Sequence, residues 1–189
     1  MAESYQRRLT VPMAAELLRR LLPDENWEDE HLRRTPERFV QMLHELTDRT
    51  PHEFDFTIFP NDGIDEMVVV QDIPFRSLCA HHLLPFIGVA HIAYIPDKKV
   101  AGLSKLPRTV QYWSAGLWSQ ERLTEKITRY LEEMLEPVGV AVVMKAEHMC
   151  MSLRGAQAHG TKTTTSKMLG VFLDPSRGAR QEFLNLISH

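Results

Sequence analysis

Residues 86–95, with the sequence FIGVAHIAYI, limit the possible folds of this chain more than any other segment. The run is apolar almost throughout, and it is bounded by a Pro-Asp turn at Pro96. Because successive side chains of a strand point to opposite faces, apolar residues at both sets of positions predict a strand buried on both faces. The chain must therefore cover this segment from two sides.

The rest of the chain predicts an α+β fold: helices first, then an antiparallel sheet backed by two helices. Residues 47–64 carry turn signals and predict a loop, which gives an N-terminal helical extension, 1–64, and a catalytic domain, 65–189. Thr35 and Pro36 predict a helix start, with Thr as N-cap, and Ser119 is predicted to cap another helix. Predicted helices cover 12–22, 35–46, 105–115, 119–133 and 180–187, and predicted strands cover 67–75, 86–95, 140–151 and 163–173.

Composition excludes several classes of function. The formal net charge is -3, so no overall basic field indicates nucleic-acid binding. No segment approaches the roughly 18 apolar residues of a membrane span, and the first residues lack the apolar stretch of a signal peptide. We expect a soluble, cytoplasmic protein with no membrane or nucleic-acid partner.

The only two cysteines, Cys79 and Cys150, each have histidine neighbours. A disulfide or two inert buried thiols are the simpler alternatives, but intracellular cysteines often serve metals or catalysis. Cys79, His82 and Cys150 would give a zinc ion three protein ligands and leave the fourth position open, which is typical of catalytic zinc. His81 and His148 remain as candidate proton-transfer residues.

A third group of polar residues lies between and after these motifs. It includes Ser104, Lys105 and Arg108, then Gln120 and Glu121 at the start of a predicted helix, and Arg154-Gly155 near the end. Taken alone, each of these charges is more typical of a solvated surface, and Glu121 could be an early helix carboxylate.

Together these segments resemble the GTP cyclohydrolase I family from about Leu9 to Ile187. The resemblance rests on motifs that occur in the family's order: Thr35-Pro36-x-Arg38, Ser77-x-Cys79-x-His81-His82, Pro85-Phe86-x-Gly88, His91 to Pro96, Gly102 to Lys105, Gln120 to Thr124, His148-x-Cys150-Met151, Arg154-Gly155 and Glu182 to Leu184. It implies a tunnelling fold (T-fold) whose sheets join into a barrel in a toroidal homodecamer, with sites between subunits.

The resemblance also implies an activity, the zinc-dependent conversion of GTP to 7,8-dihydroneopterin triphosphate and formate. It implies Zn²⁺ bound by Cys79, His82 and Cys150, and proton transfer by His81 and His148. Gln120 and Glu121 are implied to read guanine, and Ser104 to lie near the ribose. The implied triphosphate clamp comprises Lys105, Arg108, Arg154 and, from a neighbouring subunit, Arg38.

The chain departs from the family pattern near the predicted metal site. Ala80 stands where the family usually has Glu, and Ala115-Gly116-Leu117-Trp118-Ser119 replaces a stretch with a basic pair and a Gln. Linked loss of an ion pair and independent drift at a subunit contact are both open explanations. Alternative functions are a paralogue that performs part of the reaction or uses a modified purine nucleotide, a silent nucleotide-binding regulator, and a thiol-dependent nitrile reductase.

Overall fold

The computed structural model describes residues 9–188, and its contacts divide the chain between Asp48 and Arg49 into two compact units. The N-terminal unit contains α1 (Val11–Leu21) and α2 (Thr35–Thr47), which pack against each other. Both predicted helices are thus confirmed to within a residue. Thr35, however, is the first residue of its helix and makes no side-chain capping bond. The domain boundary at residue 64 stays a prediction, and residues 49–64 lie within the second unit.

A five-stranded sheet in the order β5-β2-β3-β6-β7 forms the centre of the second unit. Its strands are β2 (Val68–Cys79), β3 (Pro85–Ile95), β5 (Leu117–Trp118), β6 (Gly139–His148) and β7 (Lys162–Gly170). The long strands pair antiparallel, whereas β5 runs parallel to β2. A separate antiparallel pair joins β1 (Ile58–Pro60) to β4 (Lys99–Ala101).

Two helices cover one face of the sheet, as the sequence predicted. The first, α3 (Lys105–Ser114), packs on β2, and α4 (Gln120–Leu135) packs on β6 and β7. Ser119 caps α4 by accepting a hydrogen bond from the Arg122 amide at 3.4 Å, and Leu123, Ile127 and Leu131 bury one helical face. No helix within residues 9–188 combines the length and apolar character that a membrane crossing requires.

The predicted burial of residues 86–95 on both faces is confirmed for the middle of β3. Ala90, Ile92 and Tyr94 belong to the core beneath the two helices. Ala93 belongs to a second core on the opposite face, which also includes Phe172 and Phe183. The latter residue lies on the closing helix α6 (Ala179–Leu186). Ile87, nearer the start of the strand, is 51% exposed.

Strand β2 contains a bulge opposite His91. Val70 pairs with Ile92 and Ile73 pairs with Ala90, so two residues of β2 oppose a single residue of β3. Asp72, in the bulge, has a φ of 55°, and its amide donates to His91 Nδ1 at 3.2 Å. The buried imidazole thus satisfies a backbone group that the ladder leaves unpaired.

Some predicted boundaries are wrong. The strand predicted for 140–151 ends at His148, and Cys150 lies instead on the short helix α5 (Met149–Ser152). The strand predicted for 163–173 ends at Gly170, whose φ of 61° takes the chain into a 3₁₀ turn. An added Cβ at Gly170 would lie 2.2 Å from the Val138 carbonyl oxygen, so only glycine fits there. The predicted loop 47–64 contains β1 and a 3₁₀ turn, Thr50–His52.

Candidate metal centre and active site

A tight turn after β2 brings His82 back towards Cys79. The amides of His82 and Leu83 donate to the Cys79 carbonyl oxygen at 3.3 and 2.9 Å. Leu83 has a φ of 55°, which closes the turn. As a result, Cys79 Sγ lies 3.8 Å from Nδ1 of His82 and 3.8 Å from Nδ1 of His81.

Cys150 approaches the same turn from the other side of β3. Phe86 pairs with Ser77 on β2 and with His148 on β6, so the ends of these two strands flank one residue. Helix α5 begins directly after His148 and carries Cys150 towards Cys79. The ligand atoms of Cys79, His82 and Cys150 all lie within 4.8 Å of one another. Both cysteines are free thiols, so the disulfide alternative is wrong.

The chemistry of this donor set fits a thiophilic metal ion. Two sulfurs and one imidazole nitrogen are typical zinc ligands, and the ligand atoms of a tetrahedral zinc lie about 3.3–3.8 Å apart. Burial raises the pKa of Cys150, and the adjacent Cys79 raises it further. Since thiolates at this spacing repel each other, a bound cation would relieve the repulsion. Cys79, His82 and Cys150 could therefore hold a metal.

A cavity of about 440 Å³ is lined by Ala80 and His81, the two residues between Cys79 and His82, and by residues of a second segment. His81 and Glu121 both line it, so the structure brings a candidate proton-transfer residue and a candidate guanine reader to one space. Ala80, the residue that departs from the family pattern, lines it as well. Its lining combines apolar side chains with polar and charged ones, and such a mixture can bind and orient a small molecule.

His148 is held between an aromatic ring and an amide. Phe86 stacks on it in parallel, with ring centroids 4.7 Å apart and planes at 3°. Its Nε2 lies 2.7 Å from Gln120 Oε1. Burial lowers the pKa of His148, and the negative charge of Glu121 partly opposes that shift. The lowered pKa favours a neutral imidazole at pH 7.

Gln120 is more enclosed than the sequence indicated. Its side chain is 1% exposed, and its Nε2 donates to Met144 O, Thr163 O and Thr165 Oγ1 at 3.0–3.1 Å. Its amide oxygen faces His148. The guanine-reading role of Gln120 stays a prediction, but the side chain already bonds within the protein.

The residues predicted to contact the ribose and the triphosphate belong to several different elements. Ser104 and Lys105 mark the start of α3, and Arg108 follows one turn later. Arg154 comes shortly after α5 and is close enough to Cys150 to lower the pKa of its thiol. Arg38 lies on α2, in the N-terminal unit. None of these residues lines the cavity that His81 and Glu121 share.

Sequence reasoning missed Arg49, which organises the segment beside Ala80. Its Nε donates to the Ala115 carbonyl oxygen at 2.9 Å, and its guanidinium lies over the rings of Trp113 and Trp118, 5.1 and 5.3 Å from their centroids. The backbone carbonyl oxygen of Trp118 in turn accepts a hydrogen bond from the Ala80 amide at 2.9 Å. The sequence signal was limited to two tryptophans on either side of Gly116. It does not identify Arg49, which lies 66 residues before Ala115.

Comparison with known proteins identifies one family. The sequence model described as GTP cyclohydrolase I matches residues 12–188. Curated proteins named GTP cyclohydrolase 1 are similar: that of Sulfurihydrogenibium sp. (strain YO3AOP1) is 54% identical over 160 residues, 84% of each chain. That of Aquifex aeolicus (strain VF5) is 52% identical over 159 residues, 84% of this chain and 85% of the relative.

Among solved structures, the apo form of the archaeosine synthase QueF-Like aligns with a TM-score of 0.46 and 15% identity. The alignment covers 55% of this chain and 93% of that one. Such a distant likeness carries no argument about function, whereas the match of the family model spans nearly the whole sequence. The chain belongs to the GTP cyclohydrolase I family.

Proposed function

We propose that this protein is a zinc-dependent enzyme that converts GTP to 7,8-dihydroneopterin triphosphate and formate. The observation that carries the proposal is the convergence of Cys79, His82 and Cys150 within 4.8 Å, beside a cavity lined by His81 and Glu121. Family membership supports the substrate and the reaction.

Two hydrolytic cleavages, a rearrangement of the ribose and a ring closure make up the reaction. A zinc ion held by the three ligands would supply an activated water near neutral pH and a Lewis acid for a carbonyl oxygen. His81 is exposed at the cavity, and His148 is half-buried and lies two residues before Cys150 in the sequence. Both histidines are suited to move protons.

Glu121 explains selectivity for guanine. Its carboxylate can accept from N1–H and the 2-amino group together, and adenine lacks that donor pair. A carboxylate left facing the wrong base would lose both hydrogen bonds, which is the costly kind of mismatch. Lys105, Arg108 and Arg154 would bind the triphosphate, and Ser104 would lie near the ribose.

We further propose a T-fold barrel in a homodecamer. The phosphate-binding candidates outside the shared cavity fit a site completed between subunits, with Arg38 contributed by a neighbour. Within residues 9–188, β7 is an edge strand of its sheet, which supports joining of sheets from different subunits, because exposed edges favour such pairing. Light scattering coupled to gel filtration tests the assembly, and a monomer would contradict it.

The free cysteines fit the reducing cytoplasm.

The decisive test is GTP turnover by metal-loaded protein. Protein stripped by a chelator and reloaded with zinc should release formate and form a fluorescent pterin. Cys150→Ser should lose bound zinc, measured by mass spectrometry of the metal, together with both products. Met151→Leu is the matched control, since it changes a neighbour on the same short helix at nearly constant volume. Zinc-loaded protein that gives neither product would overturn the proposal.

A partial reaction is the second candidate, and the position of Ala80 favours it. Ala80 lines the cavity with His81 and Glu121, so a glutamate there would put another carboxylate near the reacting groups. Formate without pterin would identify a reaction that stops after ring opening. Ala80→Glu should then restore the later steps, and unchanged turnover in that variant would count against a role for the missing carboxylate.

A further inference from the structure

The orientation of the Gln120 amide is determined by its surroundings. Nε2 of Gln120 faces the carbonyl oxygens of Met144 and Thr163, at 3.0 and 3.1 Å. Carbonyl oxygens only accept hydrogen bonds, so the amide nitrogen must be the atom that faces them. A flipped amide would bring its oxygen against both carbonyls in a buried site, where unpaired acceptors are costly.

Two threonine hydroxyls order the same network. Thr124 Oγ1 donates its single hydrogen to the backbone carbonyl oxygen of Gln120 at 2.7 Å. The 2.7 Å contact between the hydroxyls of Thr124 and Thr165 must then have Thr165 as its donor. Thr165 Oγ1 is thus left as an acceptor for Gln120 Nε2, at 3.1 Å. The two hydrogens of Gln120 Nε2 thus face three acceptors, which are two carbonyl oxygens and the Thr165 hydroxyl.

The consequence reaches His148. With its nitrogen engaged by the carbonyls, Gln120 presents Oε1 to His148 Nε2 at 2.7 Å. An amide oxygen accepts only, so Nε2 must carry the hydrogen. In a neutral imidazole with this hydrogen on Nε2, the lone pair lies on Nδ1. Phe86, stacked in parallel 4.7 Å away, restricts tilting of the ring.

We infer that Gln120 is a positioning residue, which keeps a hydrogen on Nε2 of His148 and so makes Nδ1 the acceptor atom whenever the ring is neutral. The inference rests on the proposed function only in assigning His148 a part in proton transfer. It replaces guanine reading as the main role of Gln120, because a side chain that is 1% exposed, with both amide hydrogens and the oxygen engaged, has little left for substrate.

The tautomer can be measured on the unmodified, metal-loaded protein. Nitrogen-15 shifts of the histidine ring distinguish a protonated from an unprotonated nitrogen, and His148→Asn assigns the signal. The spectra are recorded at a pH high enough to leave the ring neutral, and we then expect a protonated Nε2 and an unprotonated Nδ1. The reverse pattern would overturn the inference even if GTP is turned over, and the expected pattern in an inactive protein would leave it intact while the proposed function fails.

A pair of variants tests the role of Gln120 in turnover. Gln120→Met removes the acceptor at similar length, so His148 should become a mixture of tautomers and kcat should fall at least about tenfold. The KM for GTP should change less than about threefold, because the lost contact acts through His148 rather than on substrate. A raised KM with unchanged kcat would instead restore the guanine-reading role and overturn the inference.

Thr165→Val is the matched control. It removes one acceptor of Gln120 and the donor to Thr124 at nearly constant volume, but leaves the carbonyls that orient the amide. We expect His148 to keep the Nε2–H tautomer in this variant, with a smaller loss of kcat than in Gln120→Met. Equal tautomer mixing in both variants would show that general loosening, rather than Oε1 of Gln120, controls the ring, and would contradict the inference. If Gln120→Met fails to fold, the measurement on the unmodified protein still decides.

Discussion

Replacing Gly88 by alanine should destabilise the sheet beside the candidate site. An added Cβ would lie 2.0 Å from the Lys145 carbonyl oxygen and 2.6 Å from Ala146 Cα, and both are backbone atoms. Gly88 pairs with Ala146, two positions from the pair of Phe86 and His148. Because no side chain can rotate away, β3 and β6 must separate locally by about 1 Å, in a ladder whose strands lie about 4.8 Å apart.

The expected cost can be bracketed. Overpacking of this kind costs about 1–3 kcal/mol, and a rigid backbone contact belongs at the upper end. Alanine also lowers the conformational entropy of the unfolded chain, and this effect raises the free energy of unfolding by about 0.4–1 kcal/mol. We therefore expect the free energy of unfolding to fall by about 2 kcal/mol, with a weakened stack between Phe86 and His148 and reduced turnover.

Equilibrium urea unfolding at one fixed protein concentration measures this loss, since assembly would make stability depend on concentration. Gly102→Ala is the control, because its Cβ would meet nothing closer than 3.5 Å. It should stay within about 0.5 kcal/mol of the wild type. If Gly88→Ala unfolds at the same urea concentration as Gly102→Ala, the close approach of the two strands is refuted.

Three further changes probe other contacts. Burial lowers the pKa of His91, with Lys145 adding to the effect and Asp72 opposing it. As the pH falls, His91 is therefore protonated in the unfolded chain before it is protonated in the folded one, and the free energy of unfolding decreases below about pH 6.5. His91→Asn keeps an acceptor for the Asp72 amide, so its urea midpoint should change less than that of the wild type between about pH 7.5 and 5.5; equal changes would exclude His91 as the cause. Arg49→Met removes a hydrogen bond and two ring contacts. Urea unfolding should show that the free energy of unfolding falls by about 1–3 kcal/mol. A fall of less than about 0.5 kcal/mol would contradict a stabilising role for these contacts. Ser119→Ala should cost about 1 kcal/mol in the same assay, and Ser119→Asp, which keeps a capping acceptor, much less; equal losses would exclude capping.

Periodicity was enough to predict the elements that carry the fold. Leu123, Ile127 and Leu131 recur at helical spacing, and the apolar run in β3 indicated a doubly covered strand. It could not predict β5, because a pairing of Leu117 and Trp118 with β2 depends on contacts made far along the chain. The end of β6 was also missed, since nothing local distinguishes Met149 and Cys150 from a continuing strand.

The candidate site was predicted unevenly for a related reason. Cys79 and His82 are near in sequence, and the motif that contains Cys150 identified the third ligand, so the cluster could be expected before the structure was known. The interior bonds of Gln120 were not predicted, because they involve carbonyls of β6 and β7. Spacing identifies side chains of suitable chemistry, but it does not reveal which backbone groups surround them.

The bulge at Asp72 decides on which side of the sheet Cys79 lies. Before it, Val68 and Val70 face the helices, and after it Ile73, Phe75 and Cys79 do, so the inward set changes from even to odd numbers. In an unbroken strand, the even set would have continued and Cys79 would point away from α3 and α4. The metal ligand thus owes its direction to one inserted residue several positions upstream. A chain shortened by one residue there could keep every chemical group of the site and still be unable to assemble it.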